Sequence, residues 1–235
     1  MLIRRIADLI FPYRCLGCGA FLERAYLCSA CFRSVPLQFR LECIGCRQSS
    51  PGGFTCSGCK AECAITRFFV ASDYRHPVVH AAIHGFKYKF LPELADPLGD
   101  WAVTYIRNQS ALHRISFAGE GFLLTNVPLH VRRENWRGFN QSELIARRIS
   151  GQLRTDFGSL LERSVRAMPQ ARISDRSERF KNARGQFACI SKIGAGRNVL
   201  IVDDVCTTGA TLNECAAVLK AAGAASVSAL VIARG

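Results

Sequence analysis

Four C-x-x-C pairs near the start constrain the fold of this chain more than any other feature. Nine of its twelve cysteines precede residue 64, so the cysteines belong to one region. Repeated pairs of this spacing are typical of zinc ligands and uncommon in disulfide scaffolds, because two sulfurs in one tight turn supply half of a tetrahedral site. The pairs are Cys15 and Cys18, Cys28 and Cys31, Cys43 and Cys46, and Cys56 and Cys59.

The spacing of the pairs predicts two four-cysteine zinc sites. Gaps of nine, eleven and nine residues separate successive pairs, and the nine-residue gaps suit short hairpins. The simplest assignment is sequential, with the first two pairs on one zinc and the last two on another; cross-braced pairing and a single zinc stay open. Glycine precedes the second cysteine at Gly17, Gly45 and Gly58, where we expect a positive φ. Thiols used in this way indicate a reducing, cytoplasmic compartment.

The composition changes near residue 65, which predicts a zinc module over 1–65 and a second domain over 66–235. The module serves as a structural staple, as a contact for nucleic acid or protein, or as both. In the second domain, apolar runs alternate with helical patterns, so we expect an α/β fold with a parallel sheet. The start of the chain predicts a short amphipathic helix, and no stretch approaches the roughly 18 apolar residues that span a bilayer.

The stretch "VLIVDDVCTTGAT" carries the clearest functional pattern. Asp203 and Asp204 are expected at the C-terminal end of a buried strand, the edge where open parallel sheets bind ligands. Carboxylates only accept hydrogen bonds, so they suit sugar hydroxyls or a metal. The following "TTGAT" opens a helix whose free amides favour an anion, and Gly209 lets the backbone wrap closely. Together these features describe a site for a ribose 5-phosphate.

Two other nucleotide motifs do not fit this sequence. A Walker-type site needs a G-x-x-x-x-G-K-[ST] loop, and the sequence has none. The "GAG" at 194–196 precedes its strand and lacks the third glycine of a dinucleotide fingerprint. The net charge of +13 and the pI near 9.5 favour a polyanionic partner such as nucleic acid.

Nearly the whole chain resembles the ComF family, in which a double zinc ribbon precedes a type I phosphoribosyltransferase domain. The resemblance rests on the cysteine pairs, "IHGFKY", "VPLHVRRENWRGFNQSELIAR", "ERFKNARGQF" and "VLIVDDVCTTGAT". The last stretch is similar to the motif that binds phosphoribosyl pyrophosphate (PRPP). The resemblance implies a type I phosphoribosyltransferase-like parallel sheet with helices on both faces. It also implies a link to natural competence, the uptake of single-stranded DNA.

The resemblance further implies roles for individual residues. Asp203 and Asp204 would be the catalytic carboxylates and bind the ribose 2′ and 3′ hydroxyls, with magnesium accompanying PRPP. His130 belongs to "VPLH", where such folds bind pyrophosphate, and Arg132 and Arg133 are near enough to assist. The 5-phosphate would be cradled by Thr207, Thr208, Gly209, Ala210 and Thr211.

One segment and two departures complete the comparison with the family. The segment from Arg163 to Arg184 occupies the place of the loop that closes over PRPP, and its Gln170 and Asn182 match the family pattern. Ala167 and Phe90 stand where the family usually has Thr and Gly.

Three further features have both a functional and a structural interpretation. His80 and His84 are spaced for a metal on one helix face, although a packed or exposed face is the simpler expectation. Trp136 lies among arginines and either stacks on a base of single-stranded DNA or anchors a packed surface. Cys206 falls inside the expected phosphate loop, where a redox role is conceivable, and Cys215 is expected in the core.

Three functional hypotheses follow from these patterns. The first is a PRPP-binding, cytoplasmic protein that handles single-stranded DNA together with competence proteins. The second is an active phosphoribosyltransferase whose acceptor the sequence does not identify. The third is a PRPP sensor whose zinc module recruits a protein partner.

Overall fold

Four parallel strands form the sheet that organises the chain. A computed structural model describes residues 13–113, 117, 121–163, 185–194 and 196–235. The helix expected in the first twelve residues and the segment 164–184, with Ala167, Gln170 and Asn182, lie outside the described residues. The strands are β1 Phe68–Asp73, β2 Leu123–Asn126, β3 Leu161–Arg163, β4 Phe187–Cys189, β5 Asn198–Cys206 and β6 Ser226–Arg234. The main sheet has the order β1-β6-β5-β2, and β3 and β4 form a separate antiparallel pair.

The helices fall largely where the apolar periodicity predicted them. Pro77 begins one helix, and the Asn140 side chain caps another by accepting a hydrogen bond from the amide of Glu143. The helices are α1 Ser29–Ser34, α2 Ser57–Lys60, α3 Pro77–Tyr88, α4 Ala95–His113, α5 Val131–Arg137, α6 Gln141–Leu153 and α7 Ala210–Ala221. Short 3₁₀ turns occupy Pro51–Gly53 and Pro92–Leu94.

Helices cover both faces of the sheet, as the fold class predicted. Successive residues of β5 alternate between the two faces. Leu200 and Val202 pack in a cluster with residues of α3, α4 and α6, whereas Val199 and Ile201 pack in a second cluster with residues of α7. Among the described residues, no helix has the length and apolar character needed to cross a membrane.

The cysteine module packs against both hydrophobic clusters that flank the sheet. Ile44 and Ile65 are buried in the cluster that contains α7. On the other side, the indole of Trp101 donates a hydrogen bond to the carbonyl of Phe32 at 3.0 Å, and the two rings stack with centroids 5.6 Å apart. The division at residue 65 therefore marks a change in composition that many contacts cross.

Two cysteine predictions have different outcomes. Cys215 is fully buried in the core, as expected. Cys206 was expected inside the phosphate loop, but β5 continues to this residue, so its thiol is buried at the end of a strand. Burial raises the pKa of Cys206 to about 12, which is the opposite of a reactive thiol.

Candidate ligand site and zinc clusters

The eight paired cysteines form two clusters in the sequential arrangement. In each cluster, the four sulfurs lie within 4.8 Å of one another. The Sγ atoms of Cys18 and Cys28 are 3.8 Å apart, and those of Cys46 and Cys56 are 3.7 Å apart. Tetrahedral zinc with Zn–S bonds of about 2.3 Å places its sulfurs about 3.8 Å from one another. The donor set and its geometry therefore fit one zinc in each cluster.

Gly17 and Gly45 have a steric role, and none of the three glycines, Gly58 included, has the positive φ that we predicted. The residues with positive φ in the two equivalent turns are Gly19 at 75° and Arg47 at 64°, each directly after the second cysteine. A Cβ on Gly17 would lie 2.7 Å from the sulfur of Cys31, and one on Gly45 would lie 2.6 Å from the sulfur of Cys59. Glycine is required because a ligand sulfur packs against the backbone.

One thiol in each cluster is prepared to ionise. Burial alone would raise the pKa of Cys15, but backbone amide donors, beginning with Cys28, lower it to about 6. Burial has the same opposing effect at Cys43, where backbone donors beginning with Cys46 lower the pKa to about 6. Zinc binds the thiolate, so these environments favour metal ligation.

The two predicted carboxylates lie near the C-terminal end of β5, beside the end of β2. Val202 pairs with Asn126, so Asp203 and Asp204 come directly after the paired part of β2. The Asp203 carboxylate accepts a hydrogen bond from the Asp204 amide at 2.9 Å. Burial, with the added charge of Asp204, raises the pKa of Asp203 to about 7. This strand end therefore holds two acceptors, one of which titrates near neutral pH.

The loop 207–209, which we predicted to bind phosphate and call the phosphate loop, joins β5 to α7. Gly209 has a φ of 84° and directly precedes Ala210, the first residue of the helix. The Thr208 hydroxyl accepts from the Ala210 amide at 3.4 Å, while Thr207 and Thr211 are exposed. The loop thus presents hydroxyls and the N-terminal amides of a twelve-residue helix beside the two carboxylates.

Residues next to the ligands of the second cysteine cluster contact this loop. A Cβ on Gly209 would lie 3.0 Å from side-chain atoms of Ile44. The guanidinium of Arg47 donates to the carbonyl of Thr207 at 3.0 Å and to that of Gly235 at 2.9 Å. Residues of the Cys43–Cys59 ribbon therefore form one wall of the phosphate loop.

Comparisons with known proteins identify the family. The family model described as "Phosphoribosyl transferase domain" matches residues 117–235. The chain belongs to this family. The DNA utilization protein YhgH of Escherichia coli K12 is 29% identical over 168 residues, which are 72% of each protein. Competence protein F of Haemophilus influenzae is 27% identical over 230 residues, which are 95% of this chain and 98% of that protein.

These relatives and the two cysteine clusters place the chain in the ComF branch of the phosphoribosyltransferases, as the motifs predicted. Among solved structures, the glutamine PRPP amidotransferase from B. subtilis, complexed with ADP and GMP, aligns with a TM-score of 0.42 and 16% identity. That alignment covers 63% of this chain and 30% of the amidotransferase chain.

Sequence reasoning missed Lys87, the cation that this phosphoribosyltransferase domain places against its strand-end carboxylates. The Nζ of Lys87 lies 2.8 Å from Oδ1 of Asp204, whose side chain is 8% exposed. Burial alone would lower the pKa of Lys87, but the Asp204 carboxylate raises it above its ordinary value. Lys87 belongs to "IHGFKY", next to the buried Phe86, and a lysine beside a buried helix face requires an acidic partner.

Arg137, which we predicted only as one of the arginines around Trp136, is a second cation near these carboxylates. It is half-buried, and its guanidinium donates to Oε1 of Gln141 at 2.8 Å. Burial lowers the pKa of Arg137, and the charge of Asp204 opposes that shift, so the two groups are electrostatically coupled. The predicted arginines, Arg132 and Arg133, lie exposed on α5 with no ion-pair partner in the described part of the chain.

"VPLH" is held in place by the helices that follow it. The carbonyl of Val127 accepts hydrogen bonds from the side-chain amide Nδ2 of Asn140 at 3.2 Å and from the Ser142 hydroxyl at 2.6 Å. His130 caps α5, a helix that we did not predict, and its Nδ1 accepts from the amide of Arg132 at 3.2 Å. The structure does not bring His130 into contact with the carboxylates, so its pyrophosphate role stays a prediction.

The histidines of α3 form an aromatic row and no metal-capable group among the described residues. The rings of His80 and His84 stack with centroids 6.1 Å apart. Tyr74 packs against His80 at 5.1 Å, and Tyr88 packs against His84 at 4.8 Å. This arrangement agrees with the packing interpretation of the two histidines.

Trp136 lies on an exposed surface that we call the aromatic–arginine surface. Its ring packs edge-on against Phe90 with centroids 4.8 Å apart, and it is 62% exposed. Tyr88 is also exposed, and the guanidinium of Arg137 lies 5.7 Å from the centre of its ring. With Arg133, these residues present aromatic faces and positive charge together, beside the Lys87–Asp204 pair. Trp136 is therefore not an interior anchor.

Proposed function

We propose that this ComF-family protein binds PRPP with magnesium at the C-terminal end of β5 and handles single-stranded DNA on the aromatic–arginine surface. The observation that carries the proposal is the junction of β5 and α7, where two carboxylates precede a glycine-containing loop and a helix N-terminus. We assign the protein to the cytoplasm, because its zinc-ligand thiols need a reducing compartment.

Each group of the junction matches one part of PRPP. Asp203 and Asp204 would accept from the ribose hydroxyls and assist in holding magnesium, which prefers carboxylate oxygens. The amides and hydroxyls of 207–211 would bind the 5-phosphate. Lys87 and Arg137 would supply positive charge for the diphosphate, and Arg132 and Arg133 would add to it from α5.

The two cysteine clusters would each hold a zinc. Zinc would fix the turns of a module that has little core of its own. In the second ribbon, that rigidity would also reach the phosphate loop through Ile44 and Arg47.

The DNA assignment rests on the aromatic–arginine surface and on relatives named for competence and DNA utilization. Exposed aromatic rings stack on bases of any sequence, and neighbouring arginines attract the backbone. Trp136 and Tyr88 would provide the rings, and the exposed Arg133, which has no ion-pair partner within the described ranges, would provide a charge. Competence proteins are the protein partners that this function implies.

An active phosphoribosyltransferase is the second candidate. The raised pKa of Asp203, at about 7, favours this reading because a carboxylate of that pKa can accept a proton at neutral pH. Its expected signature is pyrophosphate release that requires an acceptor and stops in Asp204→Asn.

Calorimetric titration with PRPP and magnesium tests the PRPP site. The zinc-loaded wild type should bind, and Asp203→Asn/Asp204→Asn should not. Asp156→Asn, at an exposed carboxylate paired with Arg197 away from the junction, is the matched control and should bind as the wild type does. A folded wild type that does not bind PRPP would overturn the proposal.

Fluorescence titration with oligothymidylate tests the DNA surface. Trp136→Ala should weaken binding roughly tenfold, the loss expected for one stacked base. Arg133→Ala should lower the salt dependence by about one counterion, whereas Arg24→Ala, on the first ribbon, should leave it unchanged. An affinity for oligothymidylate that changes neither with salt nor with Trp136→Ala or Arg133→Ala would rule out this DNA site.

A further inference from the structure

A cavity of about 390 Å³ lies between the cysteine module and the sheet. One wall consists of the C-terminal ends of β1 and β6, from Val70 to Asp73 and at Arg234 and Gly235. The opposite wall is the module segment 38–47, which leads into the second zinc cluster. The cavity therefore lies at the same sheet edge as Asp203 and Asp204, but beside the two neighbouring strands.

The charges around the cavity do not balance. Four arginines and two acids line it. Asp73 is paired with Arg75 at 2.8 Å, and Glu42 is paired with Arg234 at 2.5 Å. Two arginines have no side-chain carboxylate partner among the described residues: Arg47, whose guanidinium donates to the carbonyl of Thr207 and to the main-chain oxygen of Gly235, and Arg40.

Two features indicate that these groups are held for a ligand. The side chain of Arg234 is 7% exposed, and its buried Nε has no hydrogen-bond partner in the described part of the chain. Arg47 adopts a φ of 64° where the equivalent turn of the first ribbon has Gly19. A left-handed conformation is unfavourable for arginine and is retained here in a residue that reaches both the cavity and Thr207.

We propose that this cavity binds a phosphate monoester of about nucleotide size, at a site separate from the proposed PRPP site. Arginine forks suit phosphate oxygens, which accept paired hydrogen bonds. Arg40 and Arg47, which have no side-chain carboxylate partner among the described residues, supply the positive charge that a phosphate monoester requires. The cavity is within the range of about 300–1,000 Å³ that small-molecule sites occupy, so it has room for a sugar or base as well as a phosphate. The ligand would be either a free nucleotide or the 5′-phosphorylated end of a DNA strand.

Arg47 gives the site a physical connection to the phosphate loop. Its guanidinium holds the carbonyl of Thr207, so a phosphate that draws the guanidinium into the cavity would loosen that contact. Because the same guanidinium lines the cavity and holds the carbonyl of Thr207, occupation of the cavity should change PRPP affinity by a modest factor without excluding PRPP.

Titration of the zinc-loaded protein with thymidine 5′-monophosphate tests the proposal, with unphosphorylated thymidine as the ligand control. Arg40→Glu is the variant of choice, because this side chain is exposed and makes no hydrogen bond or ion pair with the residues that the structure describes. Arg24→Glu, an exposed arginine of the first ribbon, is the matched charge control. Circular dichroism of both variants establishes that they fold as the wild type does.

The expected result is binding of the monophosphate and not of thymidine, weakened at least roughly tenfold by Arg40→Glu and unchanged by Arg24→Glu. Saturating PRPP and magnesium should leave the monophosphate bound. Complete competition by PRPP, equal affinity in both variants, or no binding at all would overturn the proposal. The comparison of Arg40→Glu with Arg24→Glu uses no PRPP. It can therefore support the monophosphate site even if the protein does not bind PRPP.

Oligothymidylate with and without a 5′-phosphate separates the two sources of the ligand. A 5′-phosphate that strengthens binding in the wild type but not in Arg40→Glu would identify DNA ends. Equal binding of the two oligonucleotides, with the monophosphate still sensitive to Arg40→Glu, would identify a free nucleotide.

Discussion

Replacing Lys87 by methionine should leave the buried carboxylate of Asp204 without a partner and so destabilise the protein. The Lys87 and Asp204 side chains are 21% and 8% exposed and 2.8 Å apart. Removing one partner of a buried ion pair costs about 3–5 kcal/mol, because the other charge is left without compensation. One fifth of the Lys87 side chain reaches solvent and methionine replaces its aliphatic stem, so we expect the lower limit, about 3 kcal/mol.

A double-mutant cycle separates the ion pair from the packing of the lysine stem. Asp204→Asn removes the stranded charge, so Lys87→Met/Asp204→Asn should be more stable than Lys87→Met alone. The interaction free energy between the two sites should be about 2 kcal/mol. The measurement is urea unfolding of the zinc-loaded proteins at pH 7, followed by circular dichroism, with the m-values compared to establish a common unfolded state.

Two results would refute this reasoning. Lys87→Met within about 0.5 kcal/mol of the wild type would show that Asp204 is solvated without its partner. Additive effects in the double variant would show that the two side chains do not interact. Either result would also weaken the assignment of Lys87 to the PRPP site.

Four further predictions test other parts of the site. The pKa of Asp203 rises on folding from 3.8 to about 7, so the native state binds this proton more tightly than the unfolded state does. The stability of the wild type should therefore fall as the pH rises from 4 to 7, and the stability of Asp203→Asn relative to the wild type should increase. A difference in urea unfolding that stays constant over this range would contradict the shift. Gly209→Ala should cost about 1–2 kcal/mol in the same assay, because φ is 84° and the new Cβ would be only 3.0 Å from Ile44. Cys46→Ser should weaken PRPP binding in calorimetry more than Cys18→Ser does, because Ile44 and Arg47 of the second ribbon contact the phosphate loop; equal losses would refute that support. Phe90 has a φ of 54°, so replacement by glycine should leave the protein about 1 kcal/mol more stable than replacement by alanine.

The sequence predicted the regular part of this fold well, because that part depends on local patterns. The alternation of apolar strands and amphipathic helices predicted a parallel sheet with helices on both faces, and Asn140 was a predicted helix cap. The cysteine spacing predicted two sequential clusters, which the structure forms. Each of these inferences uses residues close together in the chain, where spacing fixes geometry.

The contacts that complete the site could not be predicted in this way. Lys87 and Asp204 are 117 residues apart, and nothing in either local pattern says that α3 approaches β5 at that turn. The Arg47 contact with Thr207 spans 160 residues. The seven-residue helix α5 was missed because "VRRENWR" has no apolar stripe, and none of its residues is buried.

The position of Phe90 shows how a departure from a family pattern can acquire a physical reason. The family usually has glycine there, and the backbone retains a φ of 54°, which glycine adopts without strain. The phenylalanine packs edge-on against Trp136, and both rings lie at the surface. A residue that strains the backbone while leaving an aromatic ring exposed is better explained by binding than by stability, which links this departure to the proposed DNA surface.

The second cysteine ribbon and the phosphate loop form one physical unit, although the contacts between the module and this part of the chain span 149 to 160 residues. Asn213, on α7, accepts from the amide of Ala64 at 2.6 Å and donates to the carbonyl of Glu62 at 3.1 Å, so the end of the module is bonded to the helix that follows the loop. Arg234, at the end of the last strand, donates to the carbonyl of Ile44 at 2.8 Å. Loss of zinc from this ribbon would therefore weaken three contacts together: Ile44 against Gly209, Arg47 with the carbonyl of Thr207, and the end of the module with Asn213. A zinc module that served only as a separate DNA-binding appendage would not need these contacts.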